Sequence, residues 1–294
     1  METLVQQVLD GLMIGAAYAL MATGLTIIFG LMDVVNFAHG EFYMLAAFLL
    51  FQLSAVMGVP YFVALPVAVL SVGALGVVVQ RTLVRRLRGG SRLNYLYATS
   101  IATIGLSIVL QNGAQLVWGA VPKSIPQPFP TEPILLAGVA LSPVRLFILL
   151  TSIVVIAVLG IGLMRTLAGR MVRATFQDRE AAALIGLPVD RIDALAFGGG
   201  TMLAALAGVL LGSAFQVYPT MGGLATLKAF TVVILGGMGS FPGAIAGGFL
   251  LGVSESMAAG YISAGLKDAI GFAVVVAVLM IRPTGLLPAV RRLR

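Results

Sequence analysis

Residues 33–41 interrupt an otherwise apolar stretch with chemistry: Asp33-Val34-Val35-Asn36-Phe37-Ala38-His39-Gly40-Glu41. Asp33, Asn36, His39 and Glu41 supply donors, acceptors and charge, which a polar route through lipid needs. A charge at membrane depth costs several kcal/mol, so such groups face a cavity or a partner. The same residues also suit a plain connection between two spans, with Asn36 capping the next helix and Glu41 favouring its positive end. The residues alone leave both readings open. His39 is the sole histidine and cysteine is absent, so no metal set is expected. No disulfide or thiolate chemistry is available either.

Two other segments stand out. Gly236-Gly237-Met238-Gly239-Ser240-Phe241-Pro242-Gly243 breaks a second apolar run. Like 30–40, it holds a Gly-x-Met and a Phe and then re-enters an apolar run. Interrupted segments in the two halves of a chain point to a pathway in many transporters. Gly236, Gly239 and Gly243 therefore join Asn36, His39, Gly40 and Glu41 as candidate pathway residues. Gln111 completes the set, since Gln111 and Gln115 share one helix face at i, i+4; hydrogen bonding between helices is the commoner use of such amides. The segment 165–193 is the longest polar stretch between apolar runs. Arg173 to Ile185 suits a helix of about three turns, ended by Gly186 with Pro188 just beyond. Displayed on a membrane face, it is a surface for docking a partner or an ordinary amphipathic helix. Lys228 and Glu255 are candidate partners inside apolar runs.

These residues must be positioned by membrane helices. The 294 residues are 60% hydrophobic and 10% charged, with a mean hydropathy of +1.06. A soluble fold could not hide so much apolar surface, whereas lipid makes hiding it unnecessary. Apolar runs fall at about 8–30, 41–58, 61–80, 95–117, 144–164, 194–217, 227–238, 242–261 and 268–282. The expectation is a single all-α domain over 1–294 with about eight or nine transmembrane segments. The run 227–238 is too short to cross alone and suits a half-helix or a tilted piece. Small residues crowd the last third, in GGGTMLAALAGVLLG and GAIAGGFLLG, as close helix packing in lipid requires.

The net charge of +7 points to topology rather than nucleic acid, because the basic residues sit in short blocks without interleaved aromatics. Fourteen of 18 lie in 81–92, in 165–191, and at Arg282, Arg291, Arg292 and Arg294. By the positive-inside rule these blocks face the cytoplasm. The proline-rich connection 118–143 then lies outside, as does the N-terminus, and the C-terminus lies inside. The N-terminus lacks a basic region, so the first apolar run is expected to stay as a span.

No phosphate loop is present; the nearest string, GYISAGLK from Gly260 to Lys267, fails the pattern. His-Glu-x-x-His and Gly-x-Ser-x-Gly are also absent, so no enzymatic activity is expected of this chain.

Three strings together resemble the bacterial branched-chain amino acid ABC permeases, and within them the H-type subunit. They are GLMIGAAYALMATGLTIIFGLMDVVNFAHGEFYMLAAF, the Glu180-Ala181-Ala182…Gly186 start of an EAA-x-x-x-G loop, and LKAFTVVILGGMGSFPGAIAGGFLLG. The likeness runs from about residue 8 to 288. The later part of the loop motif is not matched. Urea permeases carry a string similar to NFAHGE, often with Met in place of Phe37. The resemblance implies a related permease partner, two ATP-binding subunits that hold ATP and magnesium, and an extracytoplasmic solute-binding protein, all at the bacterial inner membrane. Arg179, Glu180, Ala181, Ala182 and Gly186 are then the expected ATPase-coupling residues. Rival readings are a urea or short-amide ABC permease, a passive channel, with the two breaks as re-entrant loops, and an ion-coupled transporter built on acid–lysine pairs.

Overall fold

In the computed structural model, residues 2–89, 91–130, 132–136 and 139–287 are described. The expected Arg291, Arg292 and Arg294 lie outside them. Eleven α-helices are formed among the described residues. They are α1 (Glu2–Met32), α2 (His39–Phe51), α3 (Tyr61–Val79), α4 (Arg92–Trp118), α5 (Pro143–Arg165), α6 (Leu167–Gln177), α7 (Arg179–Leu184), α8 (Val189–Ala214), α9 (Met221–Gly236), α10 (Phe241–Tyr261) and α11 (Lys267–Ile281). Seven helical stretches are long and apolar enough to cross a membrane, and the pair α9–α10, bent by 117°, brings the number to eight. The fold is therefore all-α and polytopic. The short run expected at 227–238 is the end of the 16-residue α9, and the bend follows it at Gly237–Ser240.

Helices α1 and α8 form the centre, and both are largely buried. Lipid supplies no hydrophobic drive between helices, so close backbone approach must hold them. The sequence provides it. A Cβ on Gly24 of α1 would lie 2.3 Å from the carbonyl of Gly200 on α8. On another face of α1, Gly15 meets the backbone of Gly248 and Phe249 on α10, and Gly252 meets Gly11 and Gly15 in return. Four-residue spacing of these glycines lets the two helices run in contact along their length. Helix α4 and the last helix, α11, expose most of their apolar surface, as lipid-facing or partner-facing helices do.

The ends of the elements sort by charge. Arg179 reaches the carbonyl of Leu31 at the end of α1, and Arg88, just beyond α3, reaches Asp193 at the start of α8. Backbone amides of Leu286 and Leu287 bond to Leu235 and Gly236. The arginine blocks 81–88 and 165–191, with Arg282, thus share one face. The opposite face holds the 118–143 connection, where β1 (Ile134–Leu136) and β2 (Val139–Leu141) form a small antiparallel hairpin that the prolines had disguised. Lys123 there bridges to Val217 beyond α8.

Candidate functional site

The break after α1 is re-entrant. Asp33 ends the helix in the left-handed region, at φ +53°, a conformation aspartate tolerates better than most side chains. The chain then turns back, and His39 Nε2 sits 3.0 Å from the carbonyl of Met21. Met21 precedes the end of α1 by 11 residues (32 − 21), so α2 starts about 16 Å inside that end. Unpaired backbone is not tolerated at such depth unless protein satisfies it. Here two threonines do so. Thr103 of α4 accepts from the amide of Phe37 at 3.2 Å and donates to Val35 O at 3.3 Å. Thr226 of α9 accepts from the amide of Gly40 at 2.9 Å. Asn36 turns inward, its Oδ1 accepting from the amide of Ala38 at 3.1 Å. This closes a tight turn ahead of α2 and does not cap it: the N-cap residue is Ala38 and no side chain caps the helix, so the cap expected of Asn36 is not formed.

Helices α2 and α9 meet there, both by their first turns. A Cβ on Gly40 would lie 2.0 Å from Gly222 O, and one on Gly222 would lie 2.3 Å from Glu41 Oε2. Glu41 Oε1 accepts from Ser107 of α4 at 3.0 Å, while Oε2 is buried without a hydrogen-bond partner. Asn36 Nδ2, His39 Nδ1, Thr23 Oγ1 and Thr26 Oγ1 are likewise buried and unpartnered. Gln111, one turn beyond Ser107 on α4, is half-buried and takes no part in this network.

Gly236, Gly239 and Gly243 sit elsewhere. Gly236 and Gly243 touch backbone to backbone, a Cβ on either standing about 2 Å from the other's carbonyl oxygen. Gly237 and Gly239 have φ of +104° and +82°, which makes the tight turn into α10. This turn lies at the far end of α9 from Gly222, 14 residues or about 21 Å away. The two breaks are thus joined by α9 and do not converge.

On the arginine-rich face, the helix expected over 173–185 is two helices. Asp178 leaves helical geometry at φ −151° and accepts from the amide of Ala181, so it caps α7 and interrupts the run. Gly186, at φ +85°, ends α7 as expected, with its amide bonded to Ala183 O and that of Leu187 to Ala182 O. Ala182 is buried under α7, whereas Glu180, Ala181 and Ala183 are exposed, as are Leu184 and Ile185. Asp193, fully buried, anchors the segment. Arg179 forks onto both its oxygens, at 3.0 Å to Oδ1, and Arg88 bonds to Oδ2 at 2.5 Å. Asp190 adds Arg85 at 2.7 Å and Arg88 at 3.2 Å. Arg85, Arg88, Arg179 and Asp190, with Glu180 and Ala183 of α7, line a cleft of about 950 Å³.

The sequence matches the model of one family, the branched-chain amino acid transport system permease component, over residues 7–279. The chain belongs to that family. The permease is 39% identical to the high-affinity branched-chain amino acid transport system permease protein BraD of Pseudomonas aeruginosa, over 96% of this chain and 95% of that one. It is 35% identical to the corresponding protein LivH of Escherichia coli strain K12, over 96% and 94%. The family makes it an ABC transport permease component of the LivH type and not an enzyme. Its fold is similar to PsaBC from Streptococcus pneumoniae in complex with Fab, with a TM-score of 0.51 at 15% identity, covering 94% of this chain and 91% of that one.

The permease also holds an ion cluster that links α1, α9, α10 and α11. Lys228 pairs with Glu255 and, at 2.8 Å, with Asp268, while Tyr18 donates to Glu255 at 3.0 Å. Lys228 and Glu255, proposed as partners on type alone, do meet. Sequence reasoning missed Thr103, Thr226 and Gly222. Threonine in an apolar helix usually bonds back to its own helix, as Thr82 and Thr231 do here, so nothing in its spacing marks one that reaches across.

Proposed function

We propose that this permease is one pore subunit of an ATP-driven importer of branched-chain amino acids in the bacterial inner membrane. The similarity to BraD along nearly the whole chain carries the substrate class. In this reading a related permease subunit pairs with it, two ATP-binding subunits carrying ATP and magnesium dock on the arginine-rich cytoplasmic face, and a solute-binding protein delivers substrate outside. The N-terminus is then external and the C-terminus cytoplasmic. The 165–193 segment is the coupling element. Exposed Leu184 at the end of α7 and Ile185 just after it offer apolar contact, and Gly186 sets the turn behind them. The Asp193 clamp ties α7 to the end of α1, the start of α8 and the α3–α4 connection, so a push on α7 is felt by the central helices. The re-entrant segment Asn36–Glu41, with Gly40 against α9, gates the route. Gly236, Gly239 and Gly243 act at the hinge between α9 and α10, and Gln111 flanks the route on α4.

The experiment is uptake into proteoliposomes holding this chain, its partner permease and the ATPases, with binding protein outside and ATP on the nucleotide side. ATP-dependent leucine uptake, competed by isoleucine and valine and not by urea, is expected. Urea uptake alone would overturn the substrate. Uptake through this chain by itself without ATP would overturn the importer.

Two substitutions test coupling in the same vesicles. Asp193→Asn keeps shape but removes the charge that holds two guanidiniums. Gly186→Val forces a left-handed residue to carry a branched side chain, at about 1–2 kcal/mol. Each should lower leucine uptake per ATP hydrolysed while the complex still assembles. Normal uptake-to-hydrolysis ratios in both would remove α7 from coupling.

A further inference from the structure

Glu41 is the buried acid that the fold leaves half satisfied. It is 1% exposed; Ser107 occupies one oxygen, the other has no hydrogen-bond partner, and no cationic side chain pairs with it among the described residues. A carboxylate in that position is retained only if something compensates it. The free oxygen lies against Gly222, in the first turn of α9. Thr220 gives that turn no side-chain cap; the Met221 amide bonds to the carbonyl of Tyr218, and the amides that follow have no partner within the helix. The next residue, Gly223, is exposed and faces open space. An acid and a helix N-terminus without a side-chain cap therefore stand side by side at membrane depth, complementary in charge, with glycine at the contact and open space on one flank.

We propose that this junction is a binding site for an amino acid zwitterion, a reading that rests on the importer function above. When α9 moves off α2, Glu41 Oε2 takes the substrate ammonium and the first-turn amides of α9 take its carboxylate. In the closed junction Glu41 Oε2 lies against Gly222 without a hydrogen bond, so substrate brings each half a partner that it lacks. The apolar side chain lies along α9, where Leu224 and Leu227 are exposed and Phe37 packs on Phe230 at 5.3 Å between ring centroids. A single carboxylate or a single ammonium compensates only one half.

The test is equilibrium binding to the full complex of both permeases and ATPases in nanodiscs, without binding protein. The probe is labelled leucine, and the competitors are unlabelled leucine, leucinamide and 4-methylpentanoate. Wild type should bind leucine at least about tenfold more tightly than either single-headed analogue, the worth of one charge-assisted hydrogen bond. Glu41→Gln should weaken leucine about tenfold and leave 4-methylpentanoate unchanged, so the preference disappears. Glu41→Asp keeps the charge and should keep the preference at lower affinity, which serves if the glutamine variant fails to assemble. The proposal is overturned if wild type binds no leucine, if it binds leucine and 4-methylpentanoate alike, or if Glu41→Gln weakens both equally. Leucine uptake in the proteoliposomes stands apart from these outcomes: uptake without discrimination here sinks the site and leaves the importer in place.

Discussion

Gly40→Ala should cut ATP-driven leucine uptake by about 5- to 150-fold while the complex still assembles. The added Cβ would stand 2.0 Å from Gly222 O and 2.7 Å from the amide nitrogen of Thr226, both backbone atoms that cannot swing aside. Ordinary contact begins at 3.4 Å, so α2 and α9 must part by 1.4 Å (3.4 − 2.0). Overpacking of this kind costs about 1–3 kcal/mol, which shifts a two-state equilibrium by about 5- to 150-fold. The state disfavoured is the one in which the two first turns touch, and an alternating cycle must pass through it. The measurement is the initial uptake rate per assembled complex. A rate within twofold of wild type would show that this contact is packing without a gating role.

Lys228→Met should destabilise the folded chain by about 3–5 kcal/mol, the usual loss when one partner of a buried ion pair is removed. Lys228 is 9% exposed and Glu255 3%. Without the ammonium, Glu255 keeps only the Tyr18 hydroxyl. Asp268 suffers little, because its side chain is half exposed. The double variant Lys228→Met with Glu255→Gln removes the stranded charge and should recover most of the loss, since a neutral cluster of similar volume costs far less. Unfolding of the purified chain by titrated denaturant reads both. If the double variant is no more stable than the single one, lysine packing against Phe272 (5.3 Å from the ring centroid) rather than charge pairing accounts for the cluster.

Apolar runs at hydrocarbon length and arginine blocks between them made the membrane class, the span positions and the shared basic face readable along the chain. Both are local properties: lipid selects length and hydropathy residue by residue, and the basic blocks are counted in short connections. The stop at Gly186 was readable for the same reason, because a left-handed turn is a demand on one residue. The helix expected over 173–185 failed at Asp178, whose side chain competes as a cap for the next helix; an aspartate spells both outcomes in sequence. Two small strands hid in 118–143 because a hairpin so short has no periodicity to detect.

By itself, then, the sequence determined that this is an all-α, multi-span chain of the branched-chain amino acid permease type, with polar breaks at 33–41 and 236–243 and a polar segment at 165–193. Only the tertiary structure decided what those breaks do. It carried His39 back to Met21, set Gly40 and Glu41 against Gly222, and put the second break at the far end of α9. It also chose Thr103 and Thr226 from among many threonines, and joined Arg88 and Arg179 on Asp193. The reason is physical: hydropathy and propensity act over a few residues, whereas satisfying the backbone and carboxylate of the 33–41 break inside lipid takes partners 66 to 186 positions away, and only packing selects them.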